Sequence, residues 1–570
     1  MSSRPSKRRR AQNSSSKSSI GAPSKSLDSA SALRGDDAPN TFASSTRRLG
    51  QIHVPTLTSI CYRKFALYFV KLRENKTLWD ERIEQQLRNL PDEMVPKLFA
   101  ALKRDCGSYL DQAFIITYLR RGTSMTLAYS SLPGMKAQTI TRIAALNKGI
   151  QELEISGFEG ITDNIFAAAL GNLKRLRKVV LRGCTNVGAL TIQALTDNCP
   201  ELRIVNLNYT SAPPAAVALL LLAHPHLEAL KVAGIQSWTD ATFQKFVGAF
   251  QDHPNFTLPE LHTLKLAHLA LSDAAFASLS PLPTLCPSLR RLDLSFTLVK
   301  NLYLLLPAST SSDSSPDHAT PLQLEKLNLT STPITLAALQ EVLTRCPGLK
   351  ILSLGALGSG SRGKGAAVSA SGVGMMMDDA VLDALTQVLS GQTAGESGGE
   401  GEAASSTRQR RRRVEDLSLV GNLKLGLTPR HDENDLTALG RFIARVGRYC
   451  KRLNLSNLVH LHSSDLMGLM PPTSDNDNAD APADDATSNL EILLLNNSPI
   501  DSSAAVYIST CRKLETLGLA GTRIDEDGLF TILDACPKLA NLDLTSCRGV
   551  KVVDRRRFFE VWEERRESGR

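Results

Sequence analysis

No long apolar run interrupts this chain of 570 residues. The most apolar stretch, Ala215 to Ala223, has nine residues, well short of the roughly 20 that span a bilayer as a helix. No apolar segment of leader type opens the sequence, so a soluble, intracellular protein with no membrane contact is expected. The arrangements that carry catalysis or hold metals are missing too: there is no H-E-x-x-H, no G-x-S-x-G and no paired C-x-x-C. His224 with His226 and His460 with His462 stand one residue apart, but no Cys, Asp or Glu set completes a metal site, and all four are expected in loops or at the surface. Gly358 to Gly365 reproduces the glycine and lysine positions of a phosphate-binding loop. Gly365, however, stands where Ser or Thr must hold magnesium, and the segment is low in complexity. These absences predict a protein with no cofactor, no metal and no enzymatic activity of its own.

What the chain does have is repetition. Between Cys511 and Cys547 one unit occurs twice: Leu514, Leu517 and Leu519 have the spacing of a short strand, Leu529, Ile532 and Leu533 form a helical pattern, and Cys536-Pro537 leads into Leu539, Leu542 and Leu544. The same strand spacing recurs upstream from Ile150/Leu153/Ile155 to Leu490/Leu493/Leu495. That makes about thirteen copies, roughly 24 to 26 residues apart where undisturbed. A three-residue strand with a ten-residue helix encloses no core until a neighbour stacks on it. The pattern resembles the cysteine-containing, ribonuclease-inhibitor-like leucine-rich-repeat family over residues 146–548. That resemblance implies an α/β solenoid of horseshoe form, with parallel strands lining its concave side.

The ten cysteines fit this period better than they fit disulfides. Cys199, Cys286, Cys346, Cys511 and Cys536 stand three residues before a strand leucine, Cys450 occupies a strand position, and Cys184 and Cys547 follow a strand by three residues. A small apolar thiol suits a tight turn of the solenoid, so reduced structural cysteines are expected.

The formal net charge of +9 is concentrated at one end, because residues 1–50 hold ten Lys or Arg and three Asp, a net +7. Along the concave face the residue between the last two apolar strand positions should point away from the core. That row runs Glu154, Val180, Asn206, Lys231, Lys265, Asp293, Asn328, Ser353, Ser418, Asn454, Leu494, Gly518 and Asp543. Two cations and three anions do not make a phosphate track, so nucleic-acid binding is not expected and a protein target is. Asn206, Asn208, Lys231, Lys265, Asn328 and Asp543 are the candidate target-binding residues by geometry.

Residues 1–50, rich in Ser, Ala, Lys and Arg, are expected to be disordered. Within them Lys7, Arg8, Arg9 and Arg10 read either as a nuclear-import signal or as a solvated charge run; with Arg408 to Arg413 they favour the nucleus over the cytoplasm. Residues 51–145 change to amphipathic helices without the repeat. Leu57, Cys61 and Phe65 recur at i, i+4 and i+8 after Pro55, and a second segment from Leu90-Pro91 carries Met94, Leu98 and Leu102 on one face. Such a block is needed to cap the open end of the array.

The same block carries a further resemblance. Thr56 to Phe65 is similar to an elongin-C-binding box, with Leu57, Cys61 and Phe65 at its contact positions, although Phe65 stands where the pattern has an aliphatic residue. Leu90 to Leu98 is similar to a cullin box, with Leu90, Pro91, Met94 and Leu98 at its apolar positions and Pro91 opening the helix. The order and placement resemble the elongin-C-binding, leucine-rich-repeat substrate receptors of cullin-RING ubiquitin ligases. The partners implied are elongin C and a cullin. Leu90 to Phe99 also resembles the opening of an F-box, which would recruit the Skp adaptor instead, but the tryptophan of the later pattern is absent from Arg104 to Tyr129. A scaffold without a ligase connection stays open beside both.

Insertions are expected at 308–321, 356–412 and 470–488, where composition turns to Ser/Pro, Gly/Ser/Ala and Asp/Pro. Residues 549–570 read as a helix with Asp554 as candidate N-cap and Phe558, Phe559, Val561 and Trp562 on its apolar side. It serves either as a terminal cap or as a docking helix.

Overall fold

In the computed structural model the described residues are 46–48 and 56–567, apart from 133, 252, 254, 278–281, 303–304, 306–321, 359–374, 392–413, 429–434 and 472–487. Lys7 to Arg10, Arg408 to Arg413 and most of the loop-like Gly358 to Gly365 therefore lie outside the description, as do the bodies of the first and third expected insertions.

One sheet runs through most of the chain. After β1 (Thr46–Arg48) come β2 (Ser124–Ala128), β3 (Glu152–Ser156), β4 (Lys178–Val180), β5 (Ile204–Asn206), β6 (Ala229–Lys231), β7 (Thr263–Lys265) and β8 (Arg291–Asp293). They continue with β9 (Lys326–Asn328), β10 (Ile351–Ser353), β11 (Asp416–Ser418), β12 (Arg452–Asn454), β13 (Ile492–Leu494), β14 (Thr516–Gly518) and β15 (Asn541–Asp543). Strands β2 to β15 pair in sequence order and in parallel, each connected to the next by a helical or irregular crossover. The central leucine or valine of each strand points at the crossovers: Leu153, Val179, Val205, Leu230 and Leu264 are all buried, as are their equivalents to Leu542. Each contributes on the order of 2 kcal/mol of burial that a single unit could not collect.

Register follows from that burial. Glu154, Val180, Asn206, Lys231, Lys265, Asp293 and Asn328 align as one row, which continues through Ser353, Ser418, Asn454, Leu494 and Gly518 to Asp543. Three residues beyond each row position the chain turns back through the left-handed region; most repeats place Gly, Asn, Ser or Ala there, and three place Tyr209, His268 and Phe296. Neighbouring repeats are fastened by buried or half-buried aspartates. The Asp163 carboxylate accepts from the amides of Gly188, Leu190 and Thr191, and Asp379 accepts from those of Gly426 and Thr428.

The cysteines occupy repeat positions as their spacing indicates: nine of the ten are buried, and only Cys61 is exposed. Cys199 and Cys536 aim their Sγ atoms at carbonyl oxygens of the preceding repeat. His224 lies in the loop that follows its repeat helix, as expected, but is buried there. It is 4% exposed, with Nδ1 2.9 Å from the Leu220 oxygen and Nε2 3.0 Å from the Cys199 oxygen. In the segment His224-Pro225-His226-Leu227 it fills the place that cysteine fills in Cys199-Pro200-Glu201-Leu202. His226, by contrast, is exposed beside Glu260.

Four boundaries move. The array starts one repeat before Ile150, because β2 lies inside the block expected to be helical and buries Met125 and Leu127 against β3. Its spacing escaped notice because Gly122 stands where the first leucine would. The expected insertion 356–412 contains the helix Asp379–Ser390, whose Leu382, Leu385 and Leu389 are core residues. Residues 46–48, within the tail expected to be disordered, form β1, which pairs antiparallel with β15 and covers the sheet's last edge. Arg48 and Thr56 are only eight residues apart, so the start of the first helix lies within about 30 Å of the strand paired with β15. At the C-terminus a helix spans Val552–Glu567. Asp554 lies within its first turn rather than at its N-cap. Phe558, Phe559 and Trp562 are buried, with the Phe558 ring 5.4 Å from Phe530 of the last full repeat helix.

Candidate interaction surfaces

The helix α1, Leu57–Glu74, starts at Thr56, whose Oγ1 accepts the Ser59 amide at 3.3 Å. One face of α1 is core: Ala66 and Phe69 are buried, and the Phe69 ring sits 5.1 Å from Phe114 and 6.1 Å from Trp79. Arg73 closes that face, its guanidinium 5.4 Å above Phe114 and 2.6 Å from the Asp111 carboxylate. The opposite face carries Leu57 at 76% exposure, Ile60, Cys61, Leu67 at 64% and Tyr68. This is an apolar stripe with no partner among the described residues. Phe65 does not join it. A residue eight positions on has rotated by about 80° from Leu57, which turns the half-buried Phe65 ring towards Phe69, 6.1 Å away.

The second segment departs further from expectation. Pro91 is exposed in a turn whose carbonyl accepts the Met94 amide at 2.9 Å, and the helix α2, Val95–Cys106, starts only after it. Leu98 is 3% exposed and packs with Phe99 and Leu102 in the core beneath α1. It is therefore not presented to a cullin. Of the residues proposed for that contact, Leu90 and Met94 are half-buried and only Pro91 is open.

On the inner face of the sheet, the central strands enclose an open hollow of about 780 Å³. Asn206, Lys231, Lys265 and Asp293 of the expected row line it. Single-row reading missed its charge, since Arg182, Arg291, Lys326 and Lys350 come from the parallel row two residues earlier or from the strand ends. Asp293 pairs with Lys265 at 2.9 Å and Glu325 with Lys350 at 3.5 Å. No ion pair engages Arg182, Lys231, Arg291 or Lys326 among the described residues. Burial, and then the surrounding charges of Lys265, Lys178, Arg291 and Lys326, hold the Lys231 ammonium below its ordinary pKa.

The remaining candidates on this face hold the turns that follow the strands. Asn208 is 8% exposed and its Oδ1 accepts the Ala233 amide, so it braces the turn while still lining the hollow. Asn328 and Asp543 each accept the amide two residues on, from Thr330 and Thr545.

Beside the hollow runs an aromatic ridge that no apolar periodicity announces. Tyr209, His268 and Phe296 hold φ of 59°, 54° and 59°, a conformation that costs a bulky residue roughly 1–2 kcal/mol. Gly234 of the intervening repeat makes room: a Cβ there would lie 2.3 Å from Cε1 of Tyr209. Tyr209 also lines the hollow. Burial, reinforced by the Lys265 charge, lowers the His268 pKa and favours its neutral ring.

No family model matches the chain. Antagonist of mitotic exit network protein 1 from Eremothecium gossypii is 35% identical over 89 residues, which are 15% of this chain and 23% of that protein. The chain thus spans less than a quarter of that relative's length. Among solved structures, a chain in the Rad7 and Elc1 complex of yeast is 14% identical with a TM-score of 0.41, over 88% of this chain and 95% of that one. An internalin of Listeria monocytogenes is 14% identical with a TM-score of 0.34, over 72% and 89%. A leucine-rich-repeat protein of Leptospira interrogans is 13% identical with a TM-score of 0.32, over 79% and 96%. By its own strand spacing and sheet register, the chain is an α/β leucine-rich-repeat solenoid.

Proposed function

We propose that this protein is a substrate receptor of a cullin-RING ubiquitin ligase, binding elongin C through α1 and a protein target through the inner face of its array. The supporting observation is that α1 is apolar on both sides. A helix that only capped the first repeat would need Ala66 and Phe69 but not the outward Leu57, Ile60, Cys61, Leu67 and Tyr68. A helix laid in a partner's groove uses anchors one turn apart, and Leu57 and Cys61 have that spacing. The cullin contact is then confined to the turn at Leu90, Pro91 and Met94. The receptor needs no catalytic group, because holding a target beside a ubiquitin carrier raises the effective concentration of the target's lysines. Nuclear placement would follow from Lys7 to Arg10.

The test is co-purification of the full chain with elongin C and, separately, with the Skp adaptor, beside the variant Leu57→Asp/Cys61→Asp. Retention of elongin C by the wild type, lost in the variant, is expected. Retention of Skp alone would transfer the reading to the F-box class, and retention of neither by a folded chain would leave a non-ligase scaffold.

A further inference from the structure

We infer that the target segment recognised on the inner face is a short acidic peptide carrying an aromatic side chain, its carboxylates seated on Lys231, Arg291 and Lys326 and its ring on the ridge of Tyr209, His268 and Phe296. This rests on the receptor reading only for calling the ligand a target; the site itself stands on its own geometry.

Charge sets the sign of the ligand. Lys231 reaches into a hollow ringed by five other cations and only two acids, and those acids are already engaged with Lys265 and Lys350. Burial first, and then four like charges within interaction range, oppose protonation of Lys231. An anion seated among them relieves that repulsion, which makes the hollow electrostatically complementary to carboxylates.

Extent sets the length. The hollow spans β5 to β10, about 24 Å at normal strand spacing, which is the reach of a seven- or eight-residue extended peptide. Beyond it the central row turns neutral at Ser353 and Ser418 on one side and acidic at Glu154 on the other. A nucleic-acid strand would need the cations to continue. Asp293 and Glu325, standing inside the hollow, would also face its phosphates.

Strain points to the aromatic contact. The same turn position is held elsewhere by Gly, Asn, Ser or Ala, yet here three consecutive non-glycine occupants are rings. His268 and Phe296 stack at 4.0 Å and present a flat, partly exposed surface to solvent. Strained bulky residues gathered at one place mark a site where the rings themselves are needed.

The test uses the full chain and fluorescently labelled eight-residue probes. One alternates Glu and Asp around a central Tyr, a second replaces the acids with Gln and Asn, a third replaces Tyr with Ser, and a twelve-residue oligothymidylate serves as the nucleic-acid control. The acidic Tyr peptide is expected to bind, to weaken at least about tenfold in Lys231→Glu/Lys326→Glu, and to weaken further as salt rises. The Ser peptide should bind more weakly than the Tyr peptide, and that difference should vanish in Tyr209→Gly/Phe296→Gly. Equal binding of the Gln/Asn peptide, insensitivity to the charge reversals in a protein that melts like wild type, or tighter binding of the oligothymidylate would overturn the inference. Elongin C binding is measured on the same variants. Its retention with loss of peptide binding separates the two surfaces, and its absence from the wild type with peptide binding intact would remove the ligase reading and leave this one standing.

Discussion

The imidazole of His268 lies flat on the phenyl ring of Phe296, with centroids 4.0 Å and planes 12° apart, although each residue holds a backbone conformation that disfavours a bulky side chain. The two facts act in opposite directions on stability. Replacing either residue by glycine relieves roughly 1–2 kcal/mol of strain and forfeits roughly 0.5–1.5 kcal/mol of ring contact. His268→Gly and Phe296→Gly are therefore expected to melt within about 1 kcal/mol of wild type or slightly above it, while losing affinity for the acidic Tyr peptide. Urea unfolding beside peptide titration checks this; a large loss of stability would show that the rings serve packing rather than recognition.

The two faces of α1 should separate cleanly by mutation. Leu57→Asp sits at 76% exposure and is expected to leave the unfolding midpoint within experimental scatter. Phe69→Ala empties a fully buried site among Phe65, Trp79 and Phe114 and should cost about 3–5 kcal/mol. Chemical denaturation of both variants tests the pair.

Cysteine reactivity reports the same geometry. In the native protein one thiol, that of Cys61, should react rapidly with a disulfide reagent, and all ten should react in denaturant. Two or more fast thiols in the native state would contradict the assignment of the others to the core.

The buried thiols also fix a direction for alkaline stability. Burial pushes the Cys199, Cys286, Cys450 and Cys536 thiols up to about 12 from 9.0. Their folded pKa lies above the unfolded one, so their contribution is whole below about pH 9 and is lost as pH rises towards 12, because the unfolded chain gives up protons that the folded one keeps. Lys103 opposes this: burial lowers its amino group to about 8, and its unfavourable contribution fades between pH 8 and 10.5. Lys231, also held down by burial and its neighbouring cations, acts in the same sense, but the two amines are outweighed by the several thiols, so melting temperature should fall above pH 9, and less steeply in Cys199→Ala/Cys536→Ala. Melting curves from pH 7.5 to 10.5 measure both slopes.

Removing residues 1–48 takes away the strand paired with Asn541 to Asp543. Their amide hydrogen exchange should accelerate while the amides of β9 stay protected, since each repeat contacts chiefly its neighbours.

Much of the fold was legible because burial of leucine repeats at a fixed spacing, and the same register that makes Leu542 a core residue makes Asp543 a surface one. The period failed where leucine did. Gly122 hid β2, and the Gly/Ser-rich surroundings of Asp379–Ser390 hid a helix whose own pattern, Leu382, Leu385 and Leu389, is regular. The burial of His224 was not legible because an imidazole held between two carbonyl groups looks, in sequence, like any loop histidine. At the sites, Leu57 and Cys61 fall on the exposed side as the i, i+4 spacing indicates, whereas Phe65 drifts inward over two turns and Leu98 is claimed by the core. The hollow could not be seen from one residue per strand. Its cations come from two adjacent rows and the strand ends, and its aromatic ridge has a period set by turns rather than by burial.

The central claim, that the outward stripe of α1 is an adaptor-binding surface, is tested most directly by the rate at which Cys61 is alkylated as elongin C is titrated into the full chain. Saturable protection of Cys61, absent in Leu57→Asp and not produced by the Skp adaptor, is the predicted result. An unchanged rate at elongin C concentrations well above the protein's own would contradict it.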